Sequence, residues 1–368
     1  MSLKKPTVEQ YHTNDLNNRD DARWSHPELV NLWGAGNADA VNMCLDPKAD
    51  VEKRRKRLKK LTDQSAQLMA QFGYDPFKGT DFMEEGQGFG HLEEFECPGS
   101  PEDPNQTHHV YAVIPDKKKK HRPVIFFIMG GCFFMQDPRL YPQLLRWGKK
   151  FDAVVVSPKY STLLDGSYPL QINECHAAYQ WMIDNADMLG VDADRCVVFG
   201  LSTGAQLAAS LAFRLKRYGI TPRGCVLCDP MIDDRGSYPS SRLVKSSSDA
   251  RLAHAMYTAY VGAENVGLDY LGPEAFANHA TVDECRGLCP MFVNAGESDQ
   301  DRDPAIEFAS KCLQANVFTT LHIWGGAGHA TLFNSSEGSL SERFYAEVFG
   351  AISDCLTYDL RRPWTVEQ

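Results

Sequence analysis

Arg195-Cys196-Val197-Val198-Phe199-Gly200-Leu201-Ser202-Thr203-Gly204-Ala205-Gln206-Leu207-Ala208-Ala209-Ser210-Leu211-Ala212 carries three signals in succession. A short apolar run ends in Gly-x-Ser-x-Gly, and an Ala/Leu-rich run of helical character follows it. Between a strand and a helix this pattern is a nucleophile elbow, a turn too tight for side chains at its flanks. It lifts a serine hydroxyl above the sheet edge beside the start of a helix. Gly and Ser are common residues, so the weight of the pattern comes from what surrounds it.

Upstream, Leu92–Cys97 and His108–Ile114 read as strands joined by Pro/Gly/Asp/Asn-rich sequence. Lys117–Lys120 marks an exposed turn before Pro123–Met129, an apolar run typical of a strand covered on both faces. Further strands are expected at Ala153–Ser157, Cys196–Leu201, Gly224–Cys228, Met291–Asn294 and Thr319–Trp324, eight in all. Helices are expected at Tyr141–Lys150, Leu170–Asp187, Thr203–Tyr218, Asp303–Ala315 and Ser341–Cys355. Such alternation means a mostly parallel sheet between layers of helices. It breaks between Asp229 and Pro290, where helical pieces at Asp249–Val261 and Pro273–Asn278 suggest an inserted subdomain. A further helix is expected from Asp50 to about Phe72, its basic residues forming a solvated face.

A serine hydroxyl needs a base to take its proton, and the base needs a partner that holds its tautomer. In this arrangement the acid and the histidine follow the serine, on loops after the last strands. Asp299 stands early in the loop Ala295–Asp303, and Asp229 and Asp233 are the fallback acids. Asp303 reads as the cap of the next helix and Asp301 as a solvated charge. His329 closes Gly325-Gly326-Ala327-Gly328 after the last strand, downstream of both other groups. His322 falls within a strand and His176 within a helix. Oxyanion donors are expected from the N–H of Thr203 and from Gly130 and Gly131 after the third strand.

The net charge of −10 excludes an electrostatic nucleic-acid footprint, and no apolar run is long enough to span a bilayer. The first residues lack the apolar core of a secretory signal. Eleven cysteines are scattered and odd in number, and Cys225-Val226-Leu227-Cys228 lies in an apolar strand without a second pair at zinc-site spacing. Buried free thiols in a cytoplasmic, reducing compartment are therefore expected. No cofactor or metal is called for.

With these pieces placed, the chain resembles the α/β-hydrolase superfamily, and within it the hormone-sensitive-lipase-like carboxylesterases of the arylacetamide deacetylase group. The resemblance runs from about Val110 to Cys355. It is strongest in Tyr168–Met182 and Asn185–Gly204, with Gly296–Asp299 similar to the family's acid loop and Gly328-His329 to its histidine loop. Where the family's oxyanion motif reads His-Gly-Gly-Gly, this chain has Met129-Gly130-Gly131-Cys132. Its elbow, Gly200-Leu201-Ser202-Thr203-Gly204-Ala205, is also similar to the kynurenine formamidase branch.

The resemblance implies a core of 91–230 and 289–368. It also implies a cap made from N-terminal helices and lead-in (1–90) and from the insertion 231–288. Cap and loop would offer Cys132, Phe133, Phe134, Met135, Leu201, Trp24, Trp33, Met256 and Tyr257 to a substrate. The implied activity is hydrolysis of a carboxylic ester of a small or medium apolar molecule through Ser202, His329 and Asp299. Homodimers are common in such families. The same fold also hosts lyases, cyclases and acyltransferases acting on natural-product intermediates, arylformamidase-like amide hydrolases and non-catalytic receptors.

Overall fold

Arg122-Pro123-Val124-Ile125-Phe126-Phe127-Ile128 forms the third strand of the sheet and is buried along its whole length. Its side chains alternate between faces, as the two-residue period requires. Phe126 meets the ring of Tyr179 at 5.1 Å, whereas Phe127 meets Trp147 at 4.9 Å and Phe199 at 5.1 Å. A strand flanked in this way is apolar throughout, because neither face sees water.

The computed structural model describes residues 50–57, 59–60, 88–134, 143–243, 250–334 and 339–362. The strands are β1 Gly90–Pro98, β2 Thr107–Pro115, β3 Arg122–Ile128 and β4 Val154–Lys159, followed by β5 Val191–Leu201, β6 Gly224–Cys228, β7 Met291–Gly296 and β8 Thr319–Trp324. They form one sheet in the order β1-β2-β4-β3-β5-β6-β7-β8. The β1–β2 and β2–β4 pairs are antiparallel, and every pair from β4 to β8 is parallel.

The main helices are α1 Gln143–Phe151, α2 Leu170–Asp184, α3 Thr203–Arg217, α4 Ala250–Val261, α5 Arg302–Gln314 and α6 Ser339–Thr357. Phe151 of α1 meets Phe349 of α6 on one face of the sheet. On the other face α2 packs on α3, and Phe213 of α3 meets Phe308 of α5. Helix α3 is buried from Thr203 to Leu215. A helix enclosed on all sides favours small residues, which accounts for its Ala-, Gly- and Ser-rich first turns.

All eight expected strands form. β5 begins earlier than its apolar run, because Arg122 pairs with Val191 across a bulge and the polar Asp194 is held by Arg223 and Arg361. The expected helix through Asp187 breaks at Asn185, after which Ala186–Leu189 makes one more turn ending at Gly190. The stretch Pro273–Asn278 is not a regular helix. Phe276 is extended there, and only the 3-10 turn Ala277–His279 follows. Of the helix expected from Asp50 to Phe72, residues 51–57 and 59–60 are helical. The rest of it lies outside the described residues.

Among the described residues the cysteines are unpaired thiols, Cys132 half-buried and the other nine buried. No described helix is long and apolar enough to cross a membrane.

Candidate active site

Ser202 stands between the last residue of β5 and the first of α3, at φ 57° and ψ −124°. Such a backbone costs a non-glycine residue about 1–3 kcal/mol and persists only where its surroundings enforce it. Here a Cβ at Gly200 would lie 2.4 Å from the Gly204 oxygen, and one at Gly204 would lie 2.1 Å from the Ile128 oxygen. Both flanks of the elbow must therefore be glycine. Serine at the start of a helix ordinarily caps it, but Ser202 makes no side-chain cap bond. Its backbone N–H donates instead to the Cys228 oxygen at 2.8 Å, and its hydroxyl turns away from the helix.

Ser202 Oγ lies 2.8 Å from His329 Nε2, and His329 Nδ1 lies 2.8 Å from Asp299 Oδ2. All three residues are buried, Asp299 completely. The loops that bring them together are sewn to each other by backbone bonds. The Glu297 N–H donates to the Trp324 oxygen, and the Ser298 N–H donates to the Ala327 oxygen. The Glu297 carboxylate also accepts the Gly326 N–H at 2.9 Å.

Two further carboxyl groups crowd this imidazole, and the sequence foretold the role of neither. Asp229, a fallback acid, does not bond the ring. Its two oxygens accept the N–H groups of Gly296 at 3.0 Å and Ala330 at 2.8 Å, tying the end of β7 to the residue after His329. Asp301 is not a solvated charge. It is 3% exposed, its N–H donates to Asp299 Oδ1, and the Tyr257 hydroxyl reaches its own Oδ1 at 3.4 Å. Asp303 does not cap α5, which begins at Arg302; its carboxylate accepts the Ser240 N–H and pairs with Arg302.

Burial raises Asp229 to about 7, helped by the charge of Asp299. Burial likewise pushes Asp301 well above the usual carboxylate range, with Asp299 adding to the effect. Burial alone would lower His329. The charge of Asp299, its hydrogen bond, and the charges of Asp229 and Asp301 outweigh that and raise the imidazole above its ordinary value.

The loop after β3 packs directly on the elbow, for a Cβ at Gly130 would lie 2.4 Å from the Leu201 oxygen and 2.9 Å from Ser202 Cβ. The Tyr160 hydroxyl holds this loop from behind by donating to the Met129 oxygen at 2.7 Å. Gly131, Cys132 and Phe133 all have positive φ, the last two at 55° and 58°. Thr203 opens α3, where first-turn N–H groups have no partner within the helix.

Cys132 is half-buried, and burial and the Asp301 charge push its thiol up to about 11. Phe133 is fully buried, stacked on Tyr260 with ring centroids 4.6 Å apart. Phe134, Leu201, Met256 and Tyr257 are buried as well, while Trp24, Trp33 and Met135 lie outside the described residues. One neighbour had no signal in the sequence: Met231, whose Sδ is 3.5 Å from Ser202 Oγ. Its place three residues past β6, at the edge where the elbow opens, is the only hint.

The family model described as alpha/beta hydrolase fold matches residues 125–333, more than half of the chain. Human hormone-sensitive lipase is 29% identical over 144 residues, covering 39% of this chain and 12% of that protein. Bovine arylacetamide deacetylase is 36% identical over 108 residues, covering 28% of this chain and 27% of that protein. The matched region spans between 12% and 20% of the hormone-sensitive lipases compared. Among solved structures, a bacterial heroin esterase superposes with a TM-score of 0.74 at 26% identity, covering 91% of this chain and 99% of its own. Esterase LipW of Mycobacterium marinum shares the fold, with a TM-score of 0.70 at 22% identity over 92% of this chain and 98% of its own. A Gly-x-Ser-x-Gly turn between strand and helix on a mostly parallel eight-stranded sheet, together with the family match, assigns the chain to the alpha/beta hydrolase fold family.

Proposed function

We propose that this protein is a serine esterase that cleaves a carboxylic ester of a small or medium apolar molecule. The observation that carries this reading is the unbroken chain of contacts from Ser202 Oγ through both nitrogens of His329 to Asp299, 2.8 Å at each link. In the reading, Asp299 accepts the Nδ1 proton and fixes the tautomer that leaves Nε2 free to take the serine proton. Ser202 Oγ attacks the carbonyl carbon, and the N–H groups of Gly130, Gly131 and Thr203 receive the developing oxyanion. His329 then protonates the leaving alcohol, and water activated by the same imidazole releases the acid from Ser202.

The insertion 231–288 serves as a cap in this reading, with the segment 1–90. Tyr257 and Tyr260 of α4 reach Asp301 and Phe133, which supports a cap seated over the elbow. The buried Phe134, Leu201, Met256 and Tyr257 suit an apolar acyl or alcohol group. The ten cysteines among the described residues are free thiols, which agrees with a cytoplasmic, reducing location. Neither a metal nor an organic cofactor enters the proposed steps.

A fluorophosphonate probe and a series of p-nitrophenyl esters of graded acyl length test the assignment. Wild type is expected to be labelled and to hydrolyse the short and medium esters. Ser202→Ala is expected to lose the label and at least roughly 10⁴-fold in kcat. Equal labelling of the two proteins would overturn the assignment of Ser202.

A further inference from the structure

One imidazole here faces three carboxyl groups, although the proposed reaction needs one. No Lys or Arg among the described residues pairs with Asp229, Asp299 or Asp301. One carboxylate oxygen of Asp299, one of Asp301 and one ring nitrogen of His329 lie within 4.8 Å of one another, and all three residues are buried. The Gln300 amide and the Tyr257 hydroxyl both act on the Asp301 carboxyl, but neither makes a hydrogen bond of normal geometry to Oδ2, in a side chain that sees almost no solvent. A buried carboxyl oxygen left without a donor is costly unless something else meets it. Two carboxylates and an imidazole form the donor set of an open zinc site, with a fourth position left for water. The imidazole disfavours Mg²⁺ and Ca²⁺, which take oxygen ligands.

We infer that Asp299, Asp301 and His329 form a site for Zn²⁺, and that the ion, once bound, switches off the base. Tetrahedral ligands about 2 Å from an ion stand about 3.3 Å apart, so the 2.8 Å Asp299–His329 pair opens to admit it and Asp301 closes from within 4.8 Å. Asp299 stands on the Nδ1 side of the ring and Asp301 beside Asp299, so the ion meets Nδ1. The Nδ1–H bond breaks, its proton passes to solvent, and the Nδ1 lone pair binds the metal. A neutral imidazole ligated at Nδ1 carries its remaining proton at Nε2, taken up from solvent. Nε2 then donates towards Ser202 Oγ and can no longer accept its proton. The Asp301 carboxyl, which burial holds protonated, releases its own proton to solvent, supplies the third ligand and serves as the anchor that an ordinary triad lacks. The inhibitory consequence rests on the hydrolase reading above; the binding does not.

The test uses the full chain and Zn²⁺ alone as the probe, with affinity measured by equilibrium dialysis and p-nitrophenyl acetate hydrolysis followed in parallel. Wild type and Ser202→Ala are expected to bind with the same affinity. Asp301→Asn and Asp301→Leu, the latter filling the buried space without a ligand atom, are each expected to weaken binding. The loss should be no less than the roughly tenfold that even an outer-shell partner costs. Zn²⁺ should inhibit wild type reversibly, with EDTA restoring the rate, and the inhibition constant should rise in step with the binding constant in either folded Asp301 variant. Zn²⁺ affinity unchanged in a folded Asp301 variant, or no binding to wild type, overturns the site. Binding that depends on Asp301 in a protein that hydrolyses no ester supports the site and leaves the esterase reading to fall alone.

Discussion

Asp299 and Asp229 are both buried carboxyl groups beside one histidine, but they touch it differently. Asp299 bonds the ring, whereas Asp229 bonds the backbone of the two loops that carry Asp299 and His329. Removing the first changes the tautomer, whereas removing the second shifts where the ring stands and takes away one of the lesser charges that raise it. Asp299→Asn is accordingly expected to lower kcat by about 10⁴-fold. Asp229→Asn keeps one acceptor oxygen and should lower kcat by no more than about 10²-fold, the order that a displacement of the reacting groups costs. KM should change little in either variant. Steady-state kinetics on one ester separate the two, and equal losses would make Asp229 a second acid rather than a positioning residue. The sequence could rank these aspartates by loop position but could not tell ring contact from backbone contact. Both stand after strands, at the same edge of the sheet.

At the scale of the element, β3, β5 and α1 meet through Phe127, Phe199 and Trp147, with centroids 4.9 to 5.2 Å apart. β5 ends at the elbow, so this aromatic cluster is the footing of Ser202. Phe127→Ala leaves a cavity at a site with no solvent exposure and is expected to cost about 3–5 kcal/mol. Urea unfolding of both proteins measures it; a loss below 1 kcal/mol would mean that the neighbours collapse into the gap. The strands were legible because a two-residue period, or an unbroken apolar run, survives in the chain without reference to partners. The early start of β5 was hidden, because Asp192, Asp194 and Arg195 carry no such pattern. Their place in the sheet comes from Arg122, Arg223 and Arg361, which are remote in sequence.

For the whole molecule, one carboxylate joins three elements. Glu102, between β1 and β2, accepts hydrogen bonds from His176 of α2 and from Arg217 and Tyr218 at the end of α3. Burial by itself would raise Glu102. The hydrogen bonds from His176 and Tyr218 and the charge of Arg214 outweigh it and hold the group at about 2. A carboxylate depressed in the folded state adds stability above its unfolded value and loses it as pH falls towards the folded one. Wild type should therefore lose stability between pH 4.5 and about 2 more steeply than Glu102→Gln, as read from the urea midpoint against pH. Parallel curves would mean that the network contributes nothing. A second network, Asp233 with Arg235, Asn278 and Tyr238, and Tyr238 with Glu307, fastens the insertion to α5. Its members spread from Asp233 to Glu307, so no local pattern announces it.

From sequence alone came the eight strands and the tight turn at Ser202, because turn chemistry and apolar period are properties of short stretches of chain. Asp301 shows what sequence could not reach. Two residues past Asp299, in a loop of charged residues, it reads as solvated. In the fold it lies beneath Tyr257 from the insertion and near Cys132 from the loop after β3, with water shut out. Whether a charged side chain meets water depends on segments far away in the chain, and only their packing decided that three carboxyl groups surround His329.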